Sequence, residues 1–170
     1  MHYAHYYGHV LDRLKTETEK RGLKFLPEAP SELAWIIDVM GVRPRNRTWY
    51  GVEGNMGIVL GIIFVPEPER KHSDVAWNRI DERLRSKLRD LESRGWREKR
   101  ISLTLIQVWE NERRIVLLPL KTLQKVSAFT KTGDFRVKQD GAMFFLPTPR
   151  GEEPIYLSTS LSDLFHSLLI

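Results

Sequence analysis

Thr48-Trp49-Tyr50-Gly51-Val52-Glu53-Gly54-Asn55-Met56-Gly57-Ile58-Val59-Leu60-Gly61-Ile62-Ile63-Phe64-Val65-Pro66 holds two apolar segments joined by a run of turn-forming residues. Thr48 to Val52 predicts a short strand, and Ile58 to Val65, apolar throughout, predicts a longer one buried on both faces. The Pro66-Glu67-Pro68 exit ends it, because proline donates no ladder hydrogen bond. Upstream, Leu33 to Val42 is rich in β-branched and aromatic side chains and predicts a further strand. Successive strands with no helix between them argue against a doubly wound parallel sheet and predict an α+β fold on a central mixed or antiparallel sheet.

Helices flank this group. Tyr3, Tyr7, Val10, Leu11 and Leu14 approach amphipathic spacing over Ala4 to Arg21, and Gly22 supplies a natural stop. After the strands, Ser73 or Asp74 can cap a helix whose stripe Trp77, Ile80, Leu84, Leu88 and Leu91 steps by helical intervals until Gly95. Ile101 to Trp109 and Arg113 to Leu120 predict a hairpin around Glu110-Asn111-Glu112. Shorter strands follow near Val126 to Phe129, Phe135 to Lys138 and Ala142 to Leu146, with a turn at Lys131-Thr132-Gly133-Asp134. The Gly/Pro-rich segment Pro147 to Pro154 reads as a surface loop. Ser160 and Asp163, in capping-box spacing, open a terminal helix with Leu161, Leu164, Phe165, Leu168 and Leu169 apolar. The expected order is α-β-β-β-α-β-β, then a strand-rich tail and a terminal helix.

A chain of 170 residues lies within the range served by one core, so residues 1–170 are expected to form a single domain. With 41% hydrophobic and 29% charged residues, the composition supplies that core. The absence of cysteine excludes disulfides, thiolate metal sites and cysteine nucleophiles, and favours a cytoplasmic location. No stretch approaches the roughly 18–20 apolar residues of a membrane span, and the first residues do not resemble a secretion signal. Abundant Arg and Glu without Cys fit a thermophilic source.

The net charge of +5 is unevenly placed. Between Arg79 and Arg100 nine Lys/Arg face five acids, so this segment carries +4, and Arg43-Pro44-Arg45-Asn46-Arg47 adds three arginines without an acid. Clustered guanidinium groups suit phosphate, which they bind bidentately. A solvated helix face and a soluble loop would give the same pattern.

Two acids stand out. Asp38 interrupts the apolar run Ala34 to Met40, and Glu53 closes the next strand. A carboxylate in a half-buried strand needs a partner or a metal, unless alternation turns it to water with Ile36. Carboxylates on neighbouring strands can share Mg²⁺, a hard cation that brings water to a phosphodiester. His2, His5 and His9 would share one helical face. The sparse glycines Gly54, Gly57 and Gly61 match neither a P-loop nor a dinucleotide fingerprint. Trp49 and Tyr50 after Arg47, and Trp96 between Arg94 and Arg97, would serve either as base-stacking groups or as packing.

The α-β-β-β-α-β order, Asp38 on one strand, Val52-Glu53-Gly54-Asn55 on the next, and a basic helix ending Glu92-Ser93-Arg94-Gly95-Trp96 before an apolar strand resemble the PD-(D/E)XK nuclease superfamily. The resemblance covers about Val10 to Trp109. It implies a nuclease-like core over about residues 10–120 with a strand-rich extension over 121–170. It also implies a Mg²⁺-dependent DNA endonuclease in which Asp38 and Glu53 bind the metal, while Asn55 takes the position of the family's lysine. Asn55 is a departure, since an amide orients a water but cannot accept its proton. Gly54 and Gly57 place a turn where the family has a straight strand. Glu17 or Glu19 on the first helix would be a further ligand.

The functional expectation is a nucleic-acid-binding protein, DNA before RNA, with Arg43, Arg45, Arg47, Arg83, Lys87 and Arg94 on phosphate. The alternative is a non-enzymatic interaction or scaffold protein whose strand-rich C-terminal half forms a homodimer. Neither expectation involves a membrane.

Overall fold

The computed structural model describes residues 4–28, 49–54, 59–66, 101–123, 137–148 and 152–168. Helix α1 (Ala4–Lys20) leads into β1 (Lys24–Leu26), β2 (Trp49–Glu53), β3 (Val59–Pro66), β4 (Ile101–Trp109) and β5 (Arg114–Pro119). A single helical turn, α2 (Leu120–Leu123), then β6 (Lys138–Asp140), β7 (Met143–Leu146), β8 (Ile155–Leu157) and a 3₁₀ helix (Leu161–Leu168) complete the described chain. The fold is α+β, with a mixed five-stranded sheet and an antiparallel three-stranded one.

The large sheet runs β1-β2-β3-β4-β5 in chain order. Every neighbouring pair is antiparallel except β3 and β4, which are parallel from Val59↔Ile101 to Pro66↔Val108. A parallel neighbour requires the chain to cross back between the two strands. That crossover is residues 67–100, where the basic helix is expected and which lies outside the described residues. The expected strands over Leu33 to Val42 and Val126 to Phe129 also lie outside them. The first described strand is therefore β1, a segment to which the sequence pattern assigns no element.

Strand alternation gives the large sheet two faces, one buried throughout and the other buried over β4 and β5. On one, Val52, Leu60, Ile62, Phe64, Ile106, Val108, Ile115 and Leu117 pack with Tyr6, Val10 and Leu14 of α1 and with Leu161, Leu164, Phe165 and Leu168 of the 3₁₀ helix. On the other, Leu105, Val116 and Leu118 are fully buried, as is Gln107. β4 and β5 are therefore buried on both sides, as strands in the middle of a layered fold are.

Helix α1 is fixed at both ends. Gly22 adopts φ +69°, its N–H donates to the Glu19 carbonyl at 3.0 Å, and the Leu23 N–H donates to the Thr18 carbonyl at 3.1 Å. This pair of bonds closes the last carbonyls in the Schellman arrangement, which a side chain at Gly22 would strain. Thr18 is buried, and its hydroxyl donates to the Leu14 carbonyl at 2.6 Å. At the N-terminus, the backbone N–H groups of Tyr6 and Tyr7 each donate to a carboxylate oxygen of Glu110 at 3.0 Å. A residue 104 positions away in the β4–β5 turn thus satisfies two of the four donors that a helix start leaves open.

The small sheet runs β6-β7-β8 and packs its inner face on the end of the β4–β5 hairpin. Phe144 meets the Trp109 ring at 5.0 Å, and the Arg114 guanidinium lies over the Phe144 ring at 4.5 Å while donating to the Ala142 carbonyl. Of the predicted strand Phe135 to Lys138, Phe135 and Arg136 lie outside the described residues; β6 begins at Lys138 and turns through Asp140-Gly141, with Gly141 at φ +60°. β8, just beyond the segment expected as a loop, pairs with β7. The terminal helix is 3₁₀, and Asp163 meets the Ser158 hydroxyl at 2.5 Å rather than forming the expected capping box with Ser160. The Asp163 N–H still donates to the Ser160 carbonyl at 3.1 Å.

Candidate functional site

Of the nine residues proposed to bind metal or phosphate or to orient the water, namely Asp38, Glu53, Asn55 and the six Arg/Lys, Glu53 alone falls among the described residues. Asp38, Asn55, Arg43, Arg45, Arg47, Arg83, Lys87 and Arg94 lie outside them.

Glu53 is the last residue of β2 and is half-buried. Its cross-strand neighbours are Lys24 of β1 and Val59 of β3, so neither adjoining strand sets a second carboxylate directly opposite it. β3, Val59–Pro66, carries no acid along its length. Among the described residues no group of three or more His, Asp or Glu side chains is placed to hold a metal ion. Glu53 does not furnish a Mg²⁺ site without further oxygen ligands, since Mg²⁺ is six-coordinate and its carboxylates must converge.

Alternation also decides what Glu53 can meet. Val52 and Tyr50 face the core that α1 covers, so Glu53 and Gly51 face the opposite side of the sheet. Glu17 and Glu19 belong to α1, which packs on the Val52 face, opposite that of Glu53. Glu17 is engaged locally: Arg21 donates to its carboxylate at 2.5 Å, and Lys20 approaches at 3.7 Å. The Arg21 hydrogen bond holds the Glu17 carboxyl below its ordinary value.

On the Glu53 face the strands approach closely. Gly51 and Gly61 are direct cross-strand neighbours, and a β-carbon on Gly51 would stand 3.1 Å from Leu26 Cδ1. Leu26 thus fills the space a side chain would occupy at Gly51, which explains a glycine inside a strand.

Tyr50 is removed from the base-stacking candidates. Its ring stands edge-on to Phe64 at 5.7 Å and tilted against Phe25 at 5.5 Å, and its hydroxyl meets that of Tyr7 at 3.3 Å. This aromatic group joins α1, β1, β2 and β3 and packs against the core. Of the N-terminal histidines, His9 is exposed and lies 6.2 Å from the Tyr6 ring.

Two polar groups were missed from sequence. Glu110 was assigned only to a turn, whereas it caps α1. Gln107 is fully buried in β4 and accepts a hydrogen bond from the Trp109 indole N–H at 2.8 Å. Its amide nitrogen has no hydrogen-bond partner among the described residues. The signal for Gln107 was a polar side chain within an apolar strand, the same signal that singled out Asp38. Glu110 carried no local signal, because its partners are far away in sequence.

No helix among the described residues is long and apolar enough to cross a membrane. No family model, curated protein or solved structure matches the chain.

Proposed function

We propose that this chain is a nucleic-acid-binding protein whose phosphate contacts come from Arg43, Arg45 and Arg47 together with Arg83, Lys87 and Arg94. The observation that carries this reading is charge placement: residues 79–100 hold +4 of a net +5, and residues 43–47 hold three arginines and no acid. Arg presents a planar fork of donors that fits phosphate oxygens, and clustered cations replace condensed counterions along a nucleic-acid backbone. The helix–strand order with a parallel β3–β4 pair supports a nuclease-like scaffold. Asp38 and Glu53 are the proposed metal carboxylates on it.

Binding is tested by fluorescence anisotropy on single-stranded DNA, duplex DNA and RNA across a salt series. Affinity is expected to fall steeply with salt, and alanine at Arg43, Arg45 and Arg47 together should reduce the salt slope by up to about 3, near one for each phosphate no longer neutralised. An unchanged affinity and slope would remove this surface from the proposal. Cleavage is tested separately with Mg²⁺ or Mn²⁺ on the same substrates, comparing the protein with Asp38→Ala and Glu53→Ala. Metal-dependent cutting abolished by both substitutions supports the nuclease reading. Salt-sensitive binding without cutting supports a binding protein on that scaffold.

The scaffold alternative is favoured by a different observation, the exposed apolar face of the small sheet.

A further inference from the structure

The described residues include two exposed large hydrophobic side chains, Met143 and Tyr156. Both lie on the small sheet, and both lie on the same face of it. The register pairs Phe145 with Tyr156 on one side and with Lys138 on the other, and pairs Met143 with Asp140. Residues opposite one another across antiparallel strands share a face. The outer face therefore presents Lys138 and Asp140 from β6, Met143 and Phe145 from β7, and Tyr156 from β8. The Phe145 and Tyr156 rings stand 6.1 Å apart, so the apolar side chains form one patch. The inner face is already engaged, with Phe144 held by Trp109 and Arg114.

Charge selects the occupant. Among the described residues, the face itself carries one cation, Lys138, and one acid, Asp140. On β6 the cation and the anion stand two residues apart on the same face. A two-fold axis lying between two such faces, crossing the strands at the level of Gln139 and Phe144, sets Lys138 opposite the partner's Asp140. The same axis sets Phe145 opposite the partner's Met143. The surface is thus complementary to itself in both charge and apolar character, which is the requirement for an isologous contact.

We infer that the outer face of the β6-β7-β8 sheet is a self-association surface on which two copies of the chain pair about a two-fold axis, with Lys138 against the partner's Asp140. Three apolar side chains cover less than the roughly 800 Å² per partner of a standard interface, so the dimer is weak and is populated at high protein concentration. This pairing does not depend on the nucleic-acid reading, which rests on other residues.

Sedimentation velocity over a wide concentration range tests it. The wild type should show reversible dimerisation. Lys138→Asp and Asp140→Lys should each weaken it by about tenfold or more, although they move the net charge in opposite directions. The double exchange K138D/D140K should restore it, because only the direct pair is rebuilt. Tyr156→Ser, at an exposed position, should weaken association while leaving the thermal midpoint unchanged. A wild type that stays monomeric throughout, single charge variants that associate normally, or a double variant as weak as the singles would each overturn the inference. A Tyr156→Ser variant that loses nucleic-acid affinity but sediments as the wild type would overturn it in favour of a nucleic-acid surface.

Discussion

Replacing Glu110 by alanine should destabilise the whole domain although the residue sits in a turn. Its carboxylate accepts the N–H groups of both Tyr6 and Tyr7 at 3.0 Å, and it is half-buried where α1 meets the β4–β5 turn. Removing a side chain that caps a helix start costs about 1 kcal/mol, with about 2 at the upper end. The negative charge adds roughly 0.3–1 kcal/mol through the helix dipole. Two charge-assisted bonds place Glu110→Ala toward the upper end, at about 2 kcal/mol. For a domain of this size that is a fall of about 4–8 °C in Tm. Glu110→Gln keeps one acceptor and loses the charge, so its loss should be about half as large. Glu112→Ala is the control, since Glu112 is exposed in the same turn and among the described residues bonds the exposed Gln139 side chain. Its cost should stay under about 0.5 kcal/mol. Urea and thermal unfolding at neutral pH measure all three. If Glu110→Ala unfolds with the midpoint of the wild type, or if Glu112→Ala costs as much, the long-range cap does not contribute and the turn alone explains the residue.

Gly22→Ala should cost about 1 kcal/mol, since φ +69° is strained for any residue with a β-carbon while no neighbour lies within 4 Å to clash; an unchanged urea midpoint would refute the Schellman assignment. The Glu17–Arg21 pair predicts a pH dependence: the folded carboxyl titrates below its ordinary value near 4.5, so its contribution is complete above that pH and is lost as pH falls through the lower folded value. Stability curves of the wild type and Glu17→Gln should therefore converge in acid and separate toward neutrality, by a small amount because the pair is solvent-exposed; a constant separation at all pH values would exclude the pair as the cause.

The elements legible in the sequence are those whose signals lie within a few residues of one another. β4 spans Ile101–Trp109 as its apolar run requires, β3 departs from its predicted bounds by one residue, and α1 ends at the glycine that stops it. Where the local pattern was weak, boundaries moved: β6 begins at the end of the predicted segment, and β8 went unassigned. β1 is three residues long and carries no periodicity; it is a strand because Lys24, Phe25 and Leu26 find Glu53, Val52 and Gly51 across the ladder. The candidate site was legible only as residue types. Clustered arginines and a carboxylate in an apolar strand announce a chemistry, but spacing along the chain does not say which groups converge, and alternation along β2 turned Glu53 away from the acids of α1.

What the sequence by itself determined was the α+β class, the main strands and the concentration of positive charge, because periodicity, turn residues and composition act locally. Tertiary structure alone decided that β3 and β4 run parallel, that Glu110 caps a helix 104 residues away, and that Met143, Phe145 and Tyr156 share one exposed face. Each of these depends on which distant segments pair and in what register, and that choice is made by burying both faces of the sheet and satisfying backbone donors across the whole chain.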